Sequence, residues 1–171
     1  MNMMEGNKLE INQKVNEKLE KLLEIAEAKK HHMQRILELT QKQSEVLSAE
    51  QVDQLLEYIE DKQEHIDAIK ALDEEFSSIF EEIKEEVRSD GFKNDNPEGY
   101  DLYAGLRASV SEIKDTVEAI YNLETENQNR LREVMRNVKA SISSINRGKR
   151  GYNAYKQRVP QADGVFIDQR K

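Results

Sequence analysis

Along the first 47 residues the apolar positions fall three or four apart: Ile11, Val15, Leu19, Leu22, Ala26, Met33, Ile36, Leu37 and Leu47, with Glu, Lys and Gln between them. That spacing places them near one face of a helix and leaves the other faces polar. It predicts a helix over about 7–46. The same rhythm is strongest from Val52 through Leu55, Ile59, Ile66, Ile69, Phe76, Ile83 and Val87, which predicts a second helix over about 49–89. A third stripe, Leu106, Val110, Ile113, Val117, Ile120, Leu131, Met135, Val138, Ile142 and Ile145, predicts a third over about 102–146. Between Asn7 and Ser89 there is neither glycine nor proline.

The breaks come from local chemistry. Ser48-Ala49-Glu50-Gln51 has the form of a capping box, in which Ser48 accepts from the Gln51 backbone and Gln51 reaches back. A tight turn is therefore expected at Ser44–Ser48. A helix continuing through it would instead favour a dimer with stripes paired between chains. Ser89-Asp90-Gly91 ends the second stripe, with Gly91 expected in the left-handed conformation. Residues 90–101 are dense in turn formers and predict a loop, with Asp101 as the next N-cap. Gly148 is the next breaker.

Three rods of roughly 60–70 Å at the α-helical rise, joined by short connections, predict an all-α fold. The expected architecture is an antiparallel, coiled-coil-like bundle of three long helices over residues 1–146, followed by a flexible C-terminal tail, 147–171. Glu124, Asn127 and Gln128 interrupt the third stripe. Either a buried amide there fixes the helix register, or the stripe is open to a partner at that level.

Charge separates the tail from the body. Residues 147–171 carry seven Lys/Arg against two acids, a net +5, which leaves −13 of the chain's −8 total on residues 1–146. An acidic body repels polyanions, so no nucleic-acid partner is expected. The tail also holds Tyr152, Tyr155, Val159, Phe166 and Ile167. Apolar groups in a basic segment suit an arm that orders on contact with another protein.

Little in the sequence suggests catalysis. There is no cysteine, hence no thiol chemistry and no disulfide. His31 and His32 are adjacent, so they point about 100° apart on a helix and cannot easily chelate together; with His65 they are expected to be solvated surface residues. The Glu pairs of the second helix sit on polar faces, and no Glu-x-x-His motif is present. The chain is expected not to be an enzyme and to need no cofactor or metal. No apolar run approaches the roughly 18–20 residues of a membrane span, and Met1–Glu10 lacks a secretory apolar core. A cytoplasmic protein without membrane insertion is the expectation.

Several stretches together suggest a family. Leu39-Thr40-Gln41-Lys42-Gln43 closes the first helix, and Ile59-Glu60-Asp61-Lys62-Gln63-Glu64-His65-Ile66 lies within the second. Glu124-Thr125-Glu126-Asn127 precedes Leu131, and the chain ends Phe166-Ile167-Asp168-Gln169-Arg170-Lys171. With three long helices and an acidic body, the chain resembles the FlgN family of flagellar export chaperones. The resemblance implies partners: the C-terminal helical regions of flagellar hook–filament junction proteins, and the type III export gate. It also implies that the C-terminal part engages the client. Here that means Leu131, Met135, Val138, Ile142 and Ile145 on the third helix, and Tyr152, Tyr155, Val159, Phe166 and Ile167 in the tail. Two alternatives stand beside it: a self-associating coiled-coil scaffold, and another type III secretion chaperone such as a FliT-like one.

Overall fold

A computed structural model describes residues 3–158 of the chain. Every regular element among the described residues is helical: α1 (Met3–Glu45), a 3₁₀ turn (Ala49–Gln51), α2 (Val52–Arg88), the short α3 (Phe92–Asp95) and α4 (Pro97–Arg158). The three long helices run down, up and down. α2 lies antiparallel to α1, with Lys18 paired to Glu82 at 2.6 Å, Lys29 to Asp73 at 2.7 Å, and Lys62 bonded to Gln43 at 2.7 Å. α4 lies parallel to α1: Asn96 meets Asn16, Ser109 meets Glu27, and Asn127 meets Thr40.

α1 is the shared wall of the bundle. It packs along both α2 and α4, whereas α2 and α4 approach each other at few positions. The core sits where the predicted stripes converge: Val15, Leu19, Leu22 and Ala26 of α1, Ile83 and Val87 of α2, Leu106 and Ile113 of α4, capped by Phe92 of α3. Leu19 and Leu22 are fully buried. Each such side chain contributes on the order of 2–3 kcal/mol by leaving water. The ion pairs above are half-exposed and contribute far less.

The turn after α1 falls where expected, but the capping differs. Ser48 makes no side-chain bond to a backbone N–H. Its hydroxyl donates to the Gln51 side-chain oxygen at 3.2 Å, and the Gln51 backbone N–H reaches the Ser48 carbonyl. Gly91 is not left-handed; no described residue has a positive φ. Ser89 ends α2 with an extended backbone and a hydroxyl bond to the Glu86 carbonyl. A Cβ at Gly91 would stand 2.9 Å from a carboxylate oxygen of Asp95, an exposed side chain that can move aside.

The third long helix begins earlier and ends later than the spacing predicts. Asn96, not Asp101, caps it. The Asn96 side-chain oxygen accepts from the Gly99 N–H at 3.0 Å, and Pro97 takes the first helical position, where its missing N–H costs nothing. At the other end α4 passes through Gly148 and Gly151 to Arg158. Glycine lowers helix propensity by about 1 kcal/mol, whereas proline blocks the helix outright, and after Pro97 the next proline is Pro160.

Candidate functional site

The interruption in the third stripe is a polar layer at the lower end of the bundle. Asn127 is buried; its amide donates to the Thr40 carbonyl at 3.0 Å and accepts from the Ser44 hydroxyl at 2.8 Å. Beside it Lys62 of α2 is buried, bonded to Gln43 and in contact with the Glu124 carboxylate. Burial pushes the Lys62 ammonium down to about 8, and the touching carboxylate opposes that shift. Asn127 thus fixes the register of α4 on α1. Gln128 is exposed at the rim of an open groove.

Below this layer α1 stops and α4 continues. Glu45 ends α1 about one turn beyond the level of Asn127, so α4 from Leu131 onward has only the connecting turn and the start of α2 beside it. Val52 and Leu55 face Leu131, Val134, Met135 and Val138 across a cleft of about 460 Å³. A second cleft of about 310 Å³ opens above it between Leu55, Ile59 and Ile66 of α2 and Gln128 and Leu131 of α4. Near the top of the bundle Phe76 and Phe80 face Tyr103 and Val110 in the same way. The upper cleft lies between the same two helices, and the two lower clefts share Leu55 and Leu131 and form one groove between α2 and α4. The Lys62–Glu124 contact is the ion pair that bridges it among the described residues.

Past Lys139 α4 projects alone for roughly 30 Å at the α-helical rise. Met135 (54% exposed), Ile142 (53%), Ile145 (60%), Tyr152 (59%) and Tyr155 (70%) face solvent. Leu131, Met135, Val138, Ile142, Ile145 and Tyr152 keep the alternating steps of four and three of a coiled-coil seam, with Lys149 at the intervening position. Between Val134 and Arg158 there are seven basic residues and no acid. The structure therefore joins Leu131, Met135, Val138, Ile142, Ile145, Tyr152 and Tyr155 on a single helix. Val159, Phe166 and Ile167 lie outside the described residues.

Sequence reasoning missed half of the groove. Val52, Ile59 and Ile66 lie on the stripe expected to pack in the core, yet each is more than two-fifths exposed. The available signal was Lys62 and Gln63, polar residues set into that stripe. The histidines also differ from expectation. The Nδ1 atoms of His32 and His65 meet at 2.9 Å between α1 and α2, so one ring must donate and the other accept. Burial, with His65 and His31 nearby, pushes the His32 pKa down. No cluster of three or more His, Asp or Glu among the described residues is arranged to hold a metal ion.

A protein-family model described as FlgN protein matches residues 11–160, which takes in the bundle and the projecting helix. The chain belongs to the FlgN family. It is accordingly a chaperone of flagellar export and flagellum biogenesis, and the family is one of chaperones rather than enzymes. No curated protein and no solved structure matches the chain. No helix among the described residues of this FlgN-family chaperone is long and apolar enough to cross a membrane.

Proposed function

We propose that this chaperone acts in the cytoplasm on the flagellar hook–filament junction proteins. It binds their C-terminal helical regions, keeps them from assembling early, and brings them to the type III export gate. The observation that carries the reading is the solvent-facing seam on α4: Ile142 and Ile145 hold coiled-coil positions with no described helix of this chain against them. A partner helix completes such a seam by laying its apolar face along it. Val159, Phe166 and Ile167, which follow in the sequence, are assigned to the same client. Self-association through the seam is the competing use, and the run of seven basic residues opposes it, because pairing two arms would set like charges together.

The test is isothermal titration of the full chain with the C-terminal segment of a junction protein. Binding at micromolar concentration or tighter is expected. Ile142→Asp with Ile145→Asp should weaken it by at least about tenfold, the scale of losing buried apolar anchors. No binding at micromolar concentration defeats the reading. Full binding by the double variant defeats the site.

A further inference from the structure

The packing of α2 on α1 brings together two histidines that lie 33 positions apart in the chain. The Nδ1 atoms of His32 and His65 stand 2.9 Å apart and their ring centroids 5.1 Å apart, so the rings meet nearly end on, each nitrogen aimed at the other. Both residues are half-buried, and neither lines the clefts between α2 and α4. The client surface makes no use of them. The cations three residues away along each helix are already engaged: Lys29 with Asp73 at 2.7 Å, Arg35 with Glu38 at 2.6 Å, and Lys62 with the Glu124 carboxylate. Their charges are thus largely offset beside the two rings.

We propose that His32 and His65 form a two-histidine site for a divalent transition-metal ion, with water completing the coordination. At metal–nitrogen distances of about 2.05 Å, nitrogens 2.9 Å apart subtend about 90° at the ion. That is the angle between neighbouring ligands in tetragonal or octahedral coordination, which Cu(II) and Ni(II) adopt. Tetrahedral Zn(II) asks for about 109°, hence nitrogens about 3.3 Å apart, and fits less well. In the neutral pair one Nδ1 carries a proton and the other accepts it. For both to bind the ion, that proton leaves Nδ1 and the same ring takes one up at Nε2, so no net proton is gained or lost. The ion stands on the solvent side of the line between the nitrogens. Each ring turns toward it about its Cβ–Cγ bond, a soft torsion. His31 is exposed and sits next to His32 on α1, about 100° around the helix, and takes no part. Ligands drawn from two helices converge only in the folded chain, so the ion clamps α1 to α2 and adds to stability.

The experiment titrates the full chain with Cu(II), Ni(II) and Zn(II) chlorides in turn, following binding by calorimetry and the melting temperature by circular dichroism. One Cu(II) or Ni(II) ion should bind per chain, Zn(II) should bind more weakly, and the melting temperature should rise with ion concentration. His32→Gln and His65→Gln should each weaken binding at least about tenfold and abolish that rise. His31→Gln should change neither. The wild-type chain supplies a second measurement that needs no variant to fold: a trace of paramagnetic Cu(II) should broaden the ring signals of His32 and His65 in NMR spectra before any others. No saturable binding up to millimolar ion overturns the proposal. So does an equal weakening by His31→Gln, a melting temperature that the ions lower, or broadening that starts elsewhere. Zn(II) held more tightly than Ni(II) overturns the assigned coordination geometry. Client binding is measured apart from all of these, so the chaperone reading stands or falls separately.

Discussion

The two halves of α4 carry one seam and meet opposite fates. From Leu106 to Asn127 the seam lies on α1, with Leu106, Ile113 and Asn127 buried. From Met135 to Tyr152 the stripe goes on, shifted by one heptad position after two successive steps of four at Asn127, Leu131 and Met135, yet every residue from Met135 through Gln157 is exposed. The residue types barely change; what changes is that α1 ends at Glu45. Periodicity shows that a helix has an apolar face, and only the length of its neighbours shows whether that face is covered.

The largest effects should fall on the docked half. Leu22→Ala, at a fully buried position facing α4 and α2, should cost about 2–5 kcal/mol in urea unfolding. Ile145→Ala on the free half should leave the unfolding midpoint unchanged. An equal loss at both would mean that the arm packs on the bundle. Next comes the boundary between the halves. Asn127→Ala removes two hydrogen bonds from a buried site and should cost about 1–3 kcal/mol.

Glycine substitution sharpens the same contrast with a smaller signal. A Cβ at Gly148 or Gly151 meets open space, so alanine there should strengthen the arm helix by up to about 1 kcal/mol each. The expected readout is greater helical ellipticity with an unchanged bundle melting temperature. At Gly99, on the docked half, a Cβ would stand 2.4 Å from the Asn96 amide and 2.6 Å from the Asn16 oxygen, so alanine there should lower the melting temperature. The smallest effect belongs to pH. The folded-state pKa of His32 lies below the ordinary 6.5, so the unfolded chain binds more protons as the pH falls just below that value. Stability should therefore be full above pH 6.5 and decline on acidification through the depressed value. His32→Gln should flatten that slope, and an unaltered slope would remove His32 from the account.

The sequence announced the helices, the turn after α1 and the seam of α4, because apolar spacing over ten turns is hard to mistake. It misplaced the start of α4, since Asn96-Pro97 reads as a loop pair until the Asn96 side chain is seen to cap Gly99. It ended α4 too early because Gly148 was read as the stop, whereas glycine only weakens a helix. The α2 side of the groove was read as core, since Ile59 and Ile66 keep the stripe's rhythm although α4 leaves them half-covered. Family membership was legible from scattered stretches, whereas the clefts between α2 and α4 required the packing of both helices on α1.

The unbroken backbone of α4 has a kinetic consequence. An isolated segment of some twenty residues must first close a helical turn against an unfavourable nucleation equilibrium, with a constant on the order of 10⁻³. The arm is spared that step, because the half of α4 docked on α1 serves as its nucleus. Helix in the arm therefore lengthens or frays one residue at a time from the Arg158 end. A partner touching Ile142 or Ile145 meets a template already formed, and the ordering that remains is elongation, at about a nanosecond per residue.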